Sequence, residues 1–156
     1  MDQLRRSILK ECGAGGALAI AAAAGVLPAA PAVAAPRNTS GFAAKSLADA
    51  MAGIGATNAI ESADIVINAP DIAENGVLIP IEVISRVPNA ESIALLVEKN
   101  PFPLLAHFTL SNGAEGYVNT RFKAGQSSVV KAVVKAGGKT YVASREVKVT
   151  IGGCGG

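Results

Sequence analysis

The sequence has no tryptophan, one histidine, two cysteines and two methionines, and only 4% of its 156 residues are aromatic. Each scarcity removes a class of function. A copper site of the His, His, Cys type needs one imidazole more than the chain has. Nucleic-acid binding needs a basic stripe and aromatic platforms, whereas the formal charge here is +2, spread in alternating signs without a Lys/Arg run. No glycine-rich phosphate loop follows a strand and opens a helix; the glycines mark turns. Asp64, Glu82 and Glu98 are isolated acids, simplest as solvated face residues, and His107 reads as an outward-facing or hydrogen-bonded strand residue. The chain is therefore expected to contain no catalytic residue, no metal site and no cofactor.

What is abundant is apolar: 50% of the residues are hydrophobic and 17% charged, enough to build one packed core. The first residues stand apart from it. Leu4 to Lys10, "LRRSILK", gives a positive start, and a weakly apolar Gly/Ala run follows, broken by Pro28 and Pro31. It closes on the small-x-small site Ala32-Val33-Ala34, so residues 1–34 read as a cleaved signal with the mature start near Ala35. The pair Arg5 and Arg6, followed by Ser7, Ile8, Leu9 and Lys10, resembles the twin-arginine export signal. That places the mature protein in the periplasm, with no membrane association once the signal is cut. Cleavage removes three positive and two negative charges, leaving eleven and ten, and it removes Cys12, so Cys154 becomes the one remaining thiol. A single cysteine cannot make an internal disulfide.

The mature chain opens with one short amphipathic helix, on which Leu47, Ala48, Met51 and Ile54 share a face before Gly55. The rest alternates as strands. "ADIVINAP" stops at Pro70, and "GVLIPIEVIS" puts Val77, Ile79, Ile81 and Val83 on one face, with Pro80 marking an edge or a bulge. Ile93, Leu95 and Val97 form the next inward set, then Leu104, Ala106, Phe108 and Leu110 before the turn at Asn112-Gly113. Val118, Thr120 and Phe122 follow. The last two strands form a hairpin around Gly137-Gly138, with Lys131 and Lys135 on a wet face. About seven short strands with regular turns predict an all-β fold, an immunoglobulin-like antiparallel sandwich over 35–151.

The final residues, "IGGCGG", predict a flexible arm over 152–156. Gly152, Gly153, Gly155 and Gly156 offer no side chains to pack and wide backbone freedom, so Cys154 is carried roughly 10 Å beyond the sandwich at ~3.3–3.6 Å per extended residue. Nothing cationic lies nearer in sequence than Lys148 and Arg145, so the thiol is expected to be weakly reactive until a partner receives and activates it. The same residues admit an exported structural or adhesion subunit with Cys154 in an intermolecular disulfide. A redox enzyme fits less well, because no resolving cysteine and no neighbouring base accompany the thiol.

"VKVTIGGCGG", "ESIALLVEKNPFPLLAHF", "VNTRFK" and the twin-arginine leader resemble the SoxY family, sulfur carriers of bacterial thiosulfate oxidation. The resemblance spans essentially the whole mature chain. It implies a carrier that is not itself an enzyme, with Cys154 as the covalent attachment point. It further implies a heterodimer with a SoxZ-like β-protein. Three enzymes would serve the carrier: a loading c-type cytochrome, a dimanganese hydrolase that releases sulfate, and a molybdenum/haem sulfane dehydrogenase.

Overall fold

The computed structural model describes residues 38–150. The signal assigned to residues 1–34 and the arm at 152–156 lie outside them. Two short helical segments come first, α1 (Thr39–Ala43) and α2 (Leu47–Gly53), where the sequence suggested one. The Asn38 side chain explains the extra turn. Its Oδ1 accepts from Gly41 N at 3.0 Å and caps α1, while its Nδ2 donates to the Gly53 carbonyl at 2.8 Å and ties down the end of α2. Ser46 caps α2 in the same way, accepting from Asp49 N at 3.1 Å. The two segments cross so closely that a Cβ at Gly53 would lie 2.6 Å from Gly41 Cα.

Nine strands follow: β1 (Ile60–Glu61), β2 (Ile65–Asn68), β3 (Ile72–Ala73), β4 (Ile79–Ser85), β5 (Ala90–Val97), β6 (Leu104–Thr109), β7 (Tyr117–Phe122), β8 (Ser128–Ala136) and β9 (Lys139–Val149). They form two sheets, a larger one ordered β1-β9-β8-β5-β6 with β3 also on β9, and a smaller one ordered β2-β4-β7. The seven longer strands pair antiparallel and make the expected immunoglobulin-like sandwich. The two-residue strands β1 and β3 are additions, both parallel to β9 and at opposite ends of it, Ile60 opposite Tyr141 and Ile72 opposite Lys148. Between them the chain leaves the larger sheet to lay β2 in the smaller one.

Alternation builds the interior. Ile65, Ile67, Ile79, Ile81 and Val83 of the smaller sheet meet Ile93, Leu95, Val97, Val130, Val134 and Val147 of the larger one. At ~1.5–3 kcal/mol for each buried aliphatic side chain, this layer is the main stabilising term. A second apolar layer lies on the outer face of the larger sheet, where Leu47, Met51 and Ile54 pack with Ala50, Ala94, Leu96, Val133 and Val142. Both faces of β5 are therefore buried from Ile93 to Val97.

Several expectations are corrected by this second layer and by local breaks. Ala48 is exposed and Ala50 takes its place in the core, because α2 presents Leu47, Ala50, Met51 and Ile54 to the sheet. Leu104 packs under the helices and not in the central core. A bulge after Leu95 pairs Leu96 with Leu104 and Leu95 with Ala106, which moves Leu104 to the opposite face from Ala106 and Phe108. Val77 precedes β4 and is exposed, since the strand starts only at Ile79. Val133, between Lys131 and Lys135, is covered by the helical layer, so the lysines border an apolar strip. Pro80 sits on the central strand of the smaller sheet and not on an edge, opposite Arg121 of β7 and beyond the last β2 pair, Asn68 with Glu82. The φ angles of Asn112, Gly113, Gly137 and Gly138 are all positive, as the two predicted turns require.

Candidate functional site

The C-terminal end of β9 is where the structure carries the segment that holds Cys154. The strand ends at Val149, two residues earlier than Ile151, yet the backbone is held through Thr150. On one side Lys148 N donates to the Asp71 carbonyl at 2.9 Å, and Thr150 N donates to the Ala73 carbonyl at 3.1 Å. On the other, Val149 N donates to Ser127 Oγ at 2.9 Å. A further contact closes the same end: a Cβ at Gly76 would run into the Ala124 carbonyl oxygen and stand 2.9 Å from a Val149 methyl. Asp71, Ala73, Gly76 and Ser127 thus fix the C-terminal end of β9. Nothing in the sequence marked them, because three of the four act through backbone atoms.

Arg145 braces β9 further back. Its guanidinium donates to the Ile67 carbonyl at 3.2 Å and pairs with Asp71 at 2.8 Å, spanning the stretch between β1 and β3 where neither short strand reaches. Its Nε is buried without a partner among the described residues. A cleft of about 440 Å³ opens beside it, bordered by Asn68, Pro70, Pro80, Glu82 and Asn119. The Glu82 carboxylate there is already engaged. Asn68 Nδ2 donates to Glu82 at 2.7 Å and the Tyr117 hydroxyl does so at 2.9 Å, and these two bonds hold the Glu82 carboxyl below the usual carboxylate range. The cleft is a braced seam of the sandwich and offers no nucleophile.

His107 lies on β6 opposite Ala94, on the sheet face that the helices cover. Burial, then the positive charge of Lys135, pushes its imidazole pKa below its ordinary value, and it is a half-buried strand residue. Among the described residues no three His, Cys, Asp or Glu side chains gather as a metal-binding group. No described helix is long and apolar enough to cross a membrane. Cys154, its flanking Gly152, Gly153, Gly155 and Gly156, and the export pair Arg5 and Arg6 all lie outside the described residues.

The described residues form an immunoglobulin-like domain whose last strand is held on both sides at its C-terminal end. The family model described as "Sulfur oxidation protein SoxY" matches residues 50–154, ending on Cys154 itself. The solved structure of the sulfur carrier protein SoxY from Chlorobium limicola f thiosulfatophilum is 39% identical, with a TM-score of 0.62, covering 68% of this chain and 97% of that one. This chain belongs to the SoxY family. A chain of the structure described as "Structural basis of T cell specificity and activation by the bacterial superantigen toxic shock syndrome toxin-1" is similar at 13% identity and a TM-score of 0.41, over 55% of this chain and 99% of that one, a likeness too slight to bear on fold or function. No curated protein matches the chain by sequence.

Proposed function

We propose that the protein is a covalent carrier of sulfur intermediates in periplasmic thiosulfate oxidation, with Cys154 as the attachment point. The observation that carries this reading is the family match, which runs over the sandwich and up to Cys154. The braced end of β9 supports it, because a carrier must hold its tether at a fixed origin while the tip visits different active sites. Export by the twin-arginine route, directed by Arg5 and Arg6 with cleavage after residue 34, belongs to the same proposal.

In the first step the Cys154 thiol and thiosulfate lose two electrons and one proton, forming an S–S bond and leaving a cysteine S-thiosulfonate. The electrons pass to the loading c-type cytochrome. Hydrolysis of the S–SO3 bond, which the dimanganese hydrolase would supply, consumes one water, releases sulfate and one proton and leaves a cysteine persulfide (S–SH), whose outer sulfur the molybdenum/haem dehydrogenase would oxidise. A SoxZ-like β-protein completes the carrier as a heterodimer. The chain's own task is to bind covalently, to reach and to withdraw. The glycines at 152, 153, 155 and 156 keep the strip around the thiol thin enough for channels of different shape.

The test is direct. The mature protein, complexed with its SoxZ-like partner, is incubated with thiosulfate and the loading cytochrome, and the terminal peptide is weighed by mass spectrometry. A thiosulfonate adduct on wild type and none on Cys154→Ser is expected. An unmodified wild-type peptide, or a stable Cys154 disulfide dimer as its only oxidised form, would refute the carrier reading.

A further inference from the structure

Six large hydrophobic side chains are strongly exposed among the described residues, and four of them, Ile72 (59%), Val77 (49%), Leu78 (60%) and Phe102 (51%), belong to the end of the sandwich where β9 finishes. Backbone geometry ties them together. Ile72 is paired with Lys148. Gly76, next to Val77, abuts Val149, and its carbonyl accepts from Ala124 N at 2.9 Å. One residue before Ala124, the Lys123 carbonyl accepts from Asn100 Nδ2 at 2.7 Å, which holds the turn bearing Phe102 against the same end.

Resting on the carrier reading above, we infer that this apolar end is the docking surface shared by the enzymes that act on sulfur held at Cys154. The reach of the chain makes the argument. Cys154 lies four residues beyond Thr150, so at ~3.3–3.6 Å per residue its Cα extends at most roughly 13–14 Å from the end of the fixed backbone. An enzyme that encloses that sulfur in its own active site must bring its surface against this end of the sandwich, and Ile72, Val77, Leu78 and Phe102 are what it meets. Exposed Lys99, Lys123 and Lys148, with Glu74 and Glu98, neighbour them in sequence, strand pairing or hydrogen bonding. An apolar centre with a mixed-sign rim is the anatomy of a protein interface, and the balance of charge suits several partners in turn. The matching surface is a channel mouth ringed by apolar side chains, with its reacting centre no deeper than the arm can extend.

Loading kinetics test this on the complex with the SoxZ-like partner, using thiosulfate and the loading cytochrome. Val77→Ser combined with Leu78→Ser should lower kcat/KM for adduct formation about tenfold or more, mostly through KM, because buried interface anchors dominate binding. Reaction of Cys154 with a small aromatic disulfide should stay at the wild-type rate. Phe102→Ser gives an independent second variant should the double one fold poorly, and Ile60→Ser, at the opposite end of β9, should load normally. If wild type loads and both patch variants load equally well, the docking surface is wrong while the carrier reading stands. A wild type that takes up no adduct sinks the carrier reading instead. Loss of the SoxZ-like partner, or of a self-dimer, on substitution would assign the patch to that other interface and overturn the proposal.

Discussion

The Ser127 hydroxyl accepts a hydrogen bond from the Val149 N–H at 2.9 Å, linking residues 22 positions apart and fixing the last residue of β9 from the side opposite β3. A backbone donor that has left its ladder is given a side-chain partner at the point where the arm begins.

Ser127→Ala should therefore cost about 1 kcal/mol, the usual net value of one such bond. The loss should be local. Amide exchange at Val149 and Thr150 is expected to speed up well beyond the change at Val142 or Leu95. Uniform acceleration over the sheet would show that the bond supports global stability and not the arm root.

Gly76 is fixed by space. Any Cβ there collides with the Ala124 carbonyl, a backbone atom that cannot rotate away. Gly76→Ala should destabilise by about 1–3 kcal/mol in urea unfolding, as overpacking does, with the m-value unchanged. Gly125→Ala, where a Cβ meets nothing within 4 Å, is the control, and equal midpoints for the two variants would contradict the close approach.

His107 predicts a pH dependence. Its folded pKa lies below the unfolded value of about 6.5, so near that pH the unfolded chain binds more protons. The contribution to stability is present above the unfolded pKa and is lost as pH falls through the folded one. Thermal unfolding followed between pH 7.5 and 5 should show a smaller decline in His107→Gln than in wild type. Lys135→Ala should also reduce the decline, by relieving the second cause of the shift. Parallel curves for His107→Gln and wild type would remove His107 from the account.

Much of this architecture was legible where one face of a strand is buried and the other wet. Ile79, Ile81 and Val83 in β4, and Val118 and Phe122 in β7, follow a period of two because the smaller sheet has an open outer face. The same reasoning fails on β5. Ala94 and Leu96 are as buried as Ile93 and Leu95, since helices cover the second face, and period alone cannot report a layer supplied by a distant segment. Leu104 was misplaced because a one-residue bulge is silent in composition. β1 and β3 escape notice for a different reason: two residues carry no period, and their parallel pairing with β9 depends on the chain returning from the other sheet. At the site, Cys154 and its glycines are conspicuous in sequence. The anchors that hold β9 are not, being mostly carbonyl oxygens.

The parallel pairing of β3 with the end of β9 has a mechanical side. On the carrier reading proposed above, a pull along the axis of β9 would load its ladders to β3 and β8 in shear, all bonds straining at once, and would not unzip them one by one. Such a load would be spread through the larger sheet and not borne by any single hydrogen bond.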